Sequence, residues 1–207
     1  IDNFILGINS LHGNQKELNS KESIQYFEKS SNAGNIYSSY ILGLLYENGE
    51  GVPADFNKAM SYYMKMNEQG NSNGLNRIGI CYENGYGTVS DLSISSEYYE
   101  KAVKQNNQFA LNNLGFMYYK QKDYAKAFDF FLKSSKQGNS ESFINLAECY
   151  LTGNGIEKDV SKAVENFEKS FELGNSKAMY KLGFCYFKGE EIEKNYAKAI
   201  ECFERAF

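Results

Sequence analysis

The sequence predicts an all-α protein built as an array of two-helix hairpins, and three observations carry that expectation. An aliphatic residue followed by a small one recurs at Leu6-Gly7, Leu42-Gly43, Ile78-Gly79, Leu114-Gly115, Leu146-Ala147 and Leu182-Gly183, in steps of 36, 36, 36, 32 and 36 residues. Gly-Asn keeps the same frame at Gly34-Asn35, Gly70-Asn71, Gly138-Asn139 and Gly174-Asn175, with Asn106-Asn107 in the remaining slot. One Pro in 207 residues and 15% aromatics fit unbroken helices better than a β protein punctuated by Pro and Gly. A period of this length marks a repeat architecture, so the hairpin is the structural unit of the single array 1–207.

The frame divides the chain at 1–34, 35–70, 71–107, 108–138, 139–174 and a shortened 175–207. In each unit a first helix, A, runs from the Gly-Asn junction through the aliphatic-small pair to an aromatic three residues on. Its apolar residues are spaced by three and four, as one helix face requires. The second helix, B, is expected to start at Asp55, Asp91, Asp123, Asp159, Asn195 and Asn19, whose side chains can accept from exposed N–H groups. It ends at the junction Gly, which adopts the left-handed conformation cheaply, and the next Asn caps the following helix. A mid-helix Gly costs about 1 kcal/mol relative to Ala, so its recurrence predicts a close helix–helix approach at that point. Between the helices, Gly49 to Val52 and Gly153 to Ile156 form a longer loop whose aliphatic residue turns back into the core. The fourth unit crosses directly through Tyr118–Tyr124, which accounts for the step of 32.

From Gly43 the unit reads Tyr46, Gly49, Gly51, Val52, Asp55, Lys58-Ala59, Tyr62-Tyr63, Lys65 and Gly70. From Ala147 it reads Tyr150, Gly153, Gly155, Ile156, Asp159, Lys162-Ala163, Asn166-Phe167, Lys169 and Gly174. This pattern resembles the Sel1-like repeat, a relative of the tetratricopeptide repeat, along the whole chain. The fourth unit, which lacks the glycine loop, is more similar to a tetratricopeptide repeat itself. The resemblance implies a right-handed superhelical solenoid with A helices on its concave side. It also implies a non-enzymatic scaffold or adaptor that binds a partner protein or extended peptide. Similar repeats occur in adaptors for ER-associated degradation, chitin synthase regulators, the C-terminal region of elongation-factor-2 kinase and bacterial proteins that engage host cells. An alternative is therefore a regulatory or substrate-docking domain of a larger enzyme.

The residue inventory argues against catalysis and cofactors. There is one His, His12, expected at the surface past the first A helix, and it has no Cys or carboxylate at ligand spacing. Cys81, Cys149, Cys185 and Cys202 fall in helix slots and read as small buried hydrophobes. A Helicobacter subfamily with similar repeats carries paired Cys near the end of helix B and the next helix-A start; none occupies those slots here. No Ser-x-x-Lys is present, so the acylating serine of penicillin-handling enzymes is missing. The glycine loops lack the Lys-Ser/Thr of a phosphate cradle. A net charge of −4 without a basic block excludes a nucleic-acid footprint, and no apolar run is long enough for a membrane span. No Asn-x-Ser/Thr occurs, which leans toward a cytoplasmic setting.

By analogy with tetratricopeptide repeats, the groove-facing slots lie six, three and two residues before the small residue and one and four after it. They hold Tyr37, Tyr40, Leu44 and Glu47; Asn73, Asn76, Arg77 and Ile80; Phe109, Asn112, Asn113, Phe116 and Tyr119. Further along they hold Ile144, Asn145 and Glu148, then Tyr180, Lys181, Phe184 and Phe187. Asn offers a donor and an acceptor to a peptide backbone, and aromatics supply anchors of the kind that dominate interface energy. Because each unit of an array buries a face on its neighbour, Phe203 and Phe207 in the last unit predict continuation into another domain or end-to-end self-association.

Overall fold

The structure, a computed structural model, describes residues 3–12, 20–190 and 192–207, with side chains at 3–8, 22–190 and 192–207. Asn19 as a helix cap and the side chain of His12 lie outside the described residues. Among the described residues there are twelve helices and no strand: α1 (Asn3–His12), α2 (Ser20–Asn32), α3 (Ile36–Asn48), α4 (Phe56–Glu68), α5 (Ser72–Asn84) and α6 (Leu92–Lys104), then α7 (Gln108–Lys120), α8 (Tyr124–Ser135), α9 (Ser140–Thr152), α10 (Val160–Glu172), α11 (Lys177–Lys188) and α12 (Tyr196–Ala206). They form two compact units, Ile1–Asn107 and Gln108–Phe207. In the first, the hairpins α1–α2, α3–α4 and α5–α6 pack in sequence, α2 against α3 and α4 against α5. The second repeats the scheme, α8 against α9 and α10 against α11.

The junction dipeptide works through two local hydrogen bonds that satisfy carbonyls left over at a helix end. At the end of α4, Gly70 N–H donates to the Asn67 carbonyl (2.8 Å) and Asn71 N–H to that of Met66 (3.0 Å). The same pair recurs from Gly34-Asn35, Gly138-Asn139 and Gly174-Asn175. It recurs also from Asn106-Asn107, where Asn106 takes φ 59° in place of glycine, a conformation Asn tolerates better than most residues. The next Asn then caps: Asn35 accepts from Ser38 N–H, Asn71 from Asn73 and Gly74, and Asn139 from Ser142. Asn175 departs from the expectation, since α11 begins after Ser176 with no side-chain cap bond. Its amide instead reaches back to Glu141 Oε2 (3.0 Å) and Ser140 Oγ (3.4 Å) at the start of α9. Asn107 similarly donates to Asn73 Oδ1 and Ser72 Oγ at the start of α5.

The turns into the B helices are equally regular. Asp55, Asp91, Asp123, Asp159 and Asn195 all accept from backbone N–H groups of the first turn. Their own N–H groups donate to the carbonyls of Tyr46, Tyr82, Tyr118, Tyr150 and Tyr186, at 2.8–3.0 Å. That bond is the same whether the loop is long or, as at Tyr118–Asp123, short. Lys58, Lys126 and Lys162 pair with the capping Asp and lie over the rings of Tyr46, Tyr118 and Tyr150. Val52 and Ile156 pack back against core clusters, and Ile192 is buried, as the loop pattern predicts.

The glycine of each aliphatic-glycine pair faces the ring of its B helix. A Cβ on Gly115 would stand 2.6 Å from the Phe131 ring, and one on Gly79 would stand 2.5 Å from that of Tyr99. Phe27, Tyr63 and Phe203 press on Gly7, Gly43 and Gly183 in the same way. Phe27, Tyr63, Tyr99, Phe131 and Phe167 are fully buried. The first aromatic of each pair instead stacks at the core margin, Tyr62 on Tyr46, Tyr98 on Tyr82 and Phe130 on Tyr118. Cys81, Cys149 and Cys202 are buried thiols, as their slots predict, and Cys185 is half-buried. Burial pushes the thiols of Cys81 and Cys149 up to about 12, which keeps them protonated and unreactive.

Candidate protein-binding face

The predicted groove slots separate into aromatics that meet solvent and polar groups committed to one another. In the first unit, Tyr37 on α3 is 71% exposed and Asn73 on α5 is exposed, while Tyr40, Leu44, Arg77 and Ile80 are half-buried. Asn76 is a correction: at 6% exposure it is buried and offers no open surface to a partner.

Arg77 links α5 to α3. It donates to Tyr40 Oη at 3.1 Å, lies 5.5 Å above that ring, and pairs with Glu47 at 3.6 Å. Glu47 also accepts from the Tyr63 hydroxyl of helix α4. Burial, and then the carboxylate accepting its proton, hold the Tyr63 phenol well above its ordinary value, so it stays a donor at any physiological pH. In α5–α6 the Tyr99 hydroxyl donates to Glu83 at 2.9 Å, and burial followed by that carboxylate raises its pKa likewise.

In the second unit, Phe109 and Phe116 stand two turns apart on α7, 50% and 45% exposed. Asn112, Asn113 and Tyr119 between and beside them are half-buried. The asparagines do not form the open ladder the sequence led us to expect. Asn112 Oδ1 already accepts from Asn145 Nδ2 (2.8 Å) and from Ser142 Oγ (2.9 Å) of α9. Ile144 is buried at 1% exposure, and Lys181 of α11 is paired with Glu148 of α9. Tyr180, Phe184 and Phe187 of α11 are exposed and follow one another as neighbouring rings at 6.5 Å. Sequence reasoning missed these ties between consecutive A helices, and its only available signal was the recurrence of polar residues two before the small residue.

Among the described residues no group of three His, Cys, Asp or Glu could hold a metal ion. No helix of the described residues is long and apolar enough to cross a membrane. A cleft of about 540 Å³ lies away from the A-helix slots, between the start of α10 and the α11–α12 loop, lined by residues that include Val160, Val164, Tyr186, Ile192, Lys194 and Lys198. Its lining also includes Ser161, Glu193 and Asn195.

Hairpins of this kind, tied within each unit by side chains that reach from α5 to α3, from α9 to α7 and from α11 to α9, define an α-helical repeat protein. The chain belongs to the Sel1 repeat family, whose repeat matches at residues 3–35, 36–71, 72–107, 108–139, 142–175 and 176–207. Among solved structures, a Sel1 repeat protein from Oxalobacter formigenes is 27% identical, with a TM-score of 0.85 over 99% of this chain and 84% of that one. A protective antigen of uropathogenic Escherichia coli strains, displaying an SLR fold, is also 27% identical, with a TM-score of 0.72 over 99% of this chain. This chain spans 44% of that antigen's length. An immunity protein from Pseudomonas aeruginosa, 19% identical with a TM-score of 0.72 over 99% and 79% of the two chains, shares the fold. Among curated proteins none matches.

Proposed function

We propose that the chain is a non-enzymatic scaffold that binds a partner protein or an extended peptide along its A helices. The observation that carries this reading is the pair Phe109 and Phe116, large aromatics half in solvent on one helix face, with Tyr37 in the equivalent slot of α3. Rings of this size, rimmed by polar groups, are the anchors around which interfaces concentrate their energy. Polar slots such as Arg77, Asn112 and Asn145 hold neighbouring A helices in register, and so shape the face more than they contact a partner. The buried thiols fit a reducing setting such as the cytoplasm.

The test is retention of binding partners on immobilised chain against a Tyr37→Ala, Phe109→Ala, Phe116→Ala variant. All three side chains are exposed, so the variant keeps its helical circular dichroism. Loss of a partner held by the parent supports the reading; unchanged retention overturns it. A second reading, a docking module of a larger enzyme, has the exposed aromatics of α11 in its favour. It predicts that Phe184→Ala and Phe187→Ala, rather than the α7 changes, release the partner.

A further inference from the structure

In two hairpins the inter-helix loop closes on the start of the B helix before it. In α5–α6, Tyr86 stacks on Phe56 at 4.6 Å, and a Cβ on Gly87 would stand 2.4 Å from the Phe56 carbonyl oxygen. In α9–α10, Asn154 donates to Tyr119 Oη of α7 at 3.0 Å, and a Cβ on Gly155 would stand 2.1 Å from the Tyr124 carbonyl oxygen. A helix carbonyl cannot swing aside as a flexible side chain can, so only glycine permits this approach. In α11–α12 the same two positions are Glu190 and Glu191. Glu190 pairs with Lys188 at 3.7 Å, and the second position carries a side chain, which the glycine approach excludes. The cleft of about 540 Å³ lies at this place, between the start of α10 and the α11–α12 loop.

A second departure from the repeat falls on the same cleft. Lys58, Lys126 and Lys162 each lie over a tyrosine ring and pair with the Asp that caps their helix, at 4.0, 2.9 and 3.2 Å. Lys198 holds that position on α12 and lies 5.3 Å from the centre of the Tyr186 ring, but its cap is Asn195. The cap itself is unchanged, since Asn195 Oδ1 accepts from Lys198 N–H at 3.0 Å. What is lost is the carboxylate, and with it the counter-charge of the ammonium. Lys198, Lys194 and Asn195 all line the cleft, together with Ser161 of α10. The one acid of the lining is Glu193, so two ammonium groups stand against one carboxylate. Asn195 keeps its amide donors, because the cap uses only the oxygen. Val160 and Val164 of the lining are half-buried, and Tyr186 and Ile192 are buried. Apolar walls with a few converging polar groups, in a volume of about 300–1,000 Å³, are the usual make-up of small-molecule sites.

We propose that this cleft binds a small organic carboxylate with an apolar body, the carboxylate meeting Lys198 and Lys194 and the body lying against Val160, Val164 and Ile192. Charge-assisted hydrogen bonds to the two ammonium groups favour the anion over an uncharged compound of the same shape. An Asp at position 195 would repel that anion and take Lys198 back into the pairing of the other B helices, so Asn195 sets the charge preference of the cleft.

Titration with phenylacetate, followed through the backbone amide signals in NMR spectra, tests this, with phenylacetamide as the uncharged control. Saturable shifts are expected at Ser161, Ile192 and Lys198, with affinity for the carboxylate about tenfold or more above that for the amide. Asn195→Asp is expected to remove that preference by weakening phenylacetate binding about tenfold. Its helical circular dichroism stays that of the parent, because Asp caps α4, α6, α8 and α10 in the same way. Lys198→Gln weakens phenylacetate binding likewise, and Val160→Trp, which fills the apolar wall, abolishes binding of both compounds. Absence of a saturable shift with either compound overturns the proposal. Equal binding of the two compounds overturns it as well, as does an Asn195→Asp chain that binds phenylacetate as the parent does. Shifts confined to the A helices mark a different site and are equally decisive against it.

Discussion

The hairpins α3–α4 and α5–α6 solve one packing problem differently from α9–α10. In the first two, a tyrosine ring presses on a helix-A glycine and its hydroxyl needs an acceptor, which Glu47 and Glu83 supply four residues past the glycine. In α9–α10 the ring is Phe167, the small residue is Ala147, and the position four further on is the buried Leu151. The neighbouring α7–α8 and α11–α12 also use Phe, with Tyr119 and Phe187 in place of the acid. Ring and acceptor change together. A buried hydroxyl without a partner costs more than a hydrogen bond gains, so the acid is present only where the hydroxyl is.

Removing the shared element should have the largest effect. Phe167→Ala is expected to cost about 4 kcal/mol in denaturant unfolding, since it empties a fully buried site. Moving one solution into the other is the sharper test. Phe167→Tyr should cost roughly 2 kcal/mol, because its hydroxyl faces Leu151, and Leu151→Glu in the same chain should recover part of that loss. If Phe167→Tyr is neutral, the correlation of ring and acid is not energetic. Next, Gly43→Ala is expected to cost about 2 kcal/mol by driving a methyl into the Tyr63 ring, whereas Ala147→Gly should cost about 1 kcal/mol through helix propensity.

The smallest effect is one of pH. Tyr63 and Tyr99 have raised pKa values when folded, first through burial. Their contribution is therefore complete below the unfolded tyrosine value of about 10 and is lost as pH rises above it, where the unfolded chain ionises first. Thermal melts should show stability falling more steeply above about pH 10 in the parent than in a Tyr63→Phe, Tyr99→Phe variant.

What the sequence made legible was most of what a single repeat contains: both helices, the junction turn, the glycine under the ring and the capping residues other than Asn175. Each rests on residues a few positions apart or on one recurrent pair. What it hid was the register between repeats. Whether Asn112 is open to a peptide or already bonded to Asn145 depends on the offset of α9 along α7, which no motif within one repeat encodes. Asn76 and Asn112 occupy the same slot, yet one is buried and the other half-buried. Asn175 shows the same limit, since its side chain is drawn from capping by Glu141 a full repeat earlier.

The turns between helices, the joints of the array, have a consequence for how such a chain can change by heredity. The hydrogen bonds that close each one connect residues no more than nine positions apart, as from Asp55 to Tyr46. A duplicated or deleted segment of whole repeat length therefore carries its own joints and leaves every other joint intact. A single inserted codon inside a helix turns the rest of that helix by about 100° and breaks its seat. The shortened crossing at Tyr118–Asp123 marks the permitted exception: four residues are gone, but they lay between the helices, and the Asp123 N–H still finds the Tyr118 carbonyl.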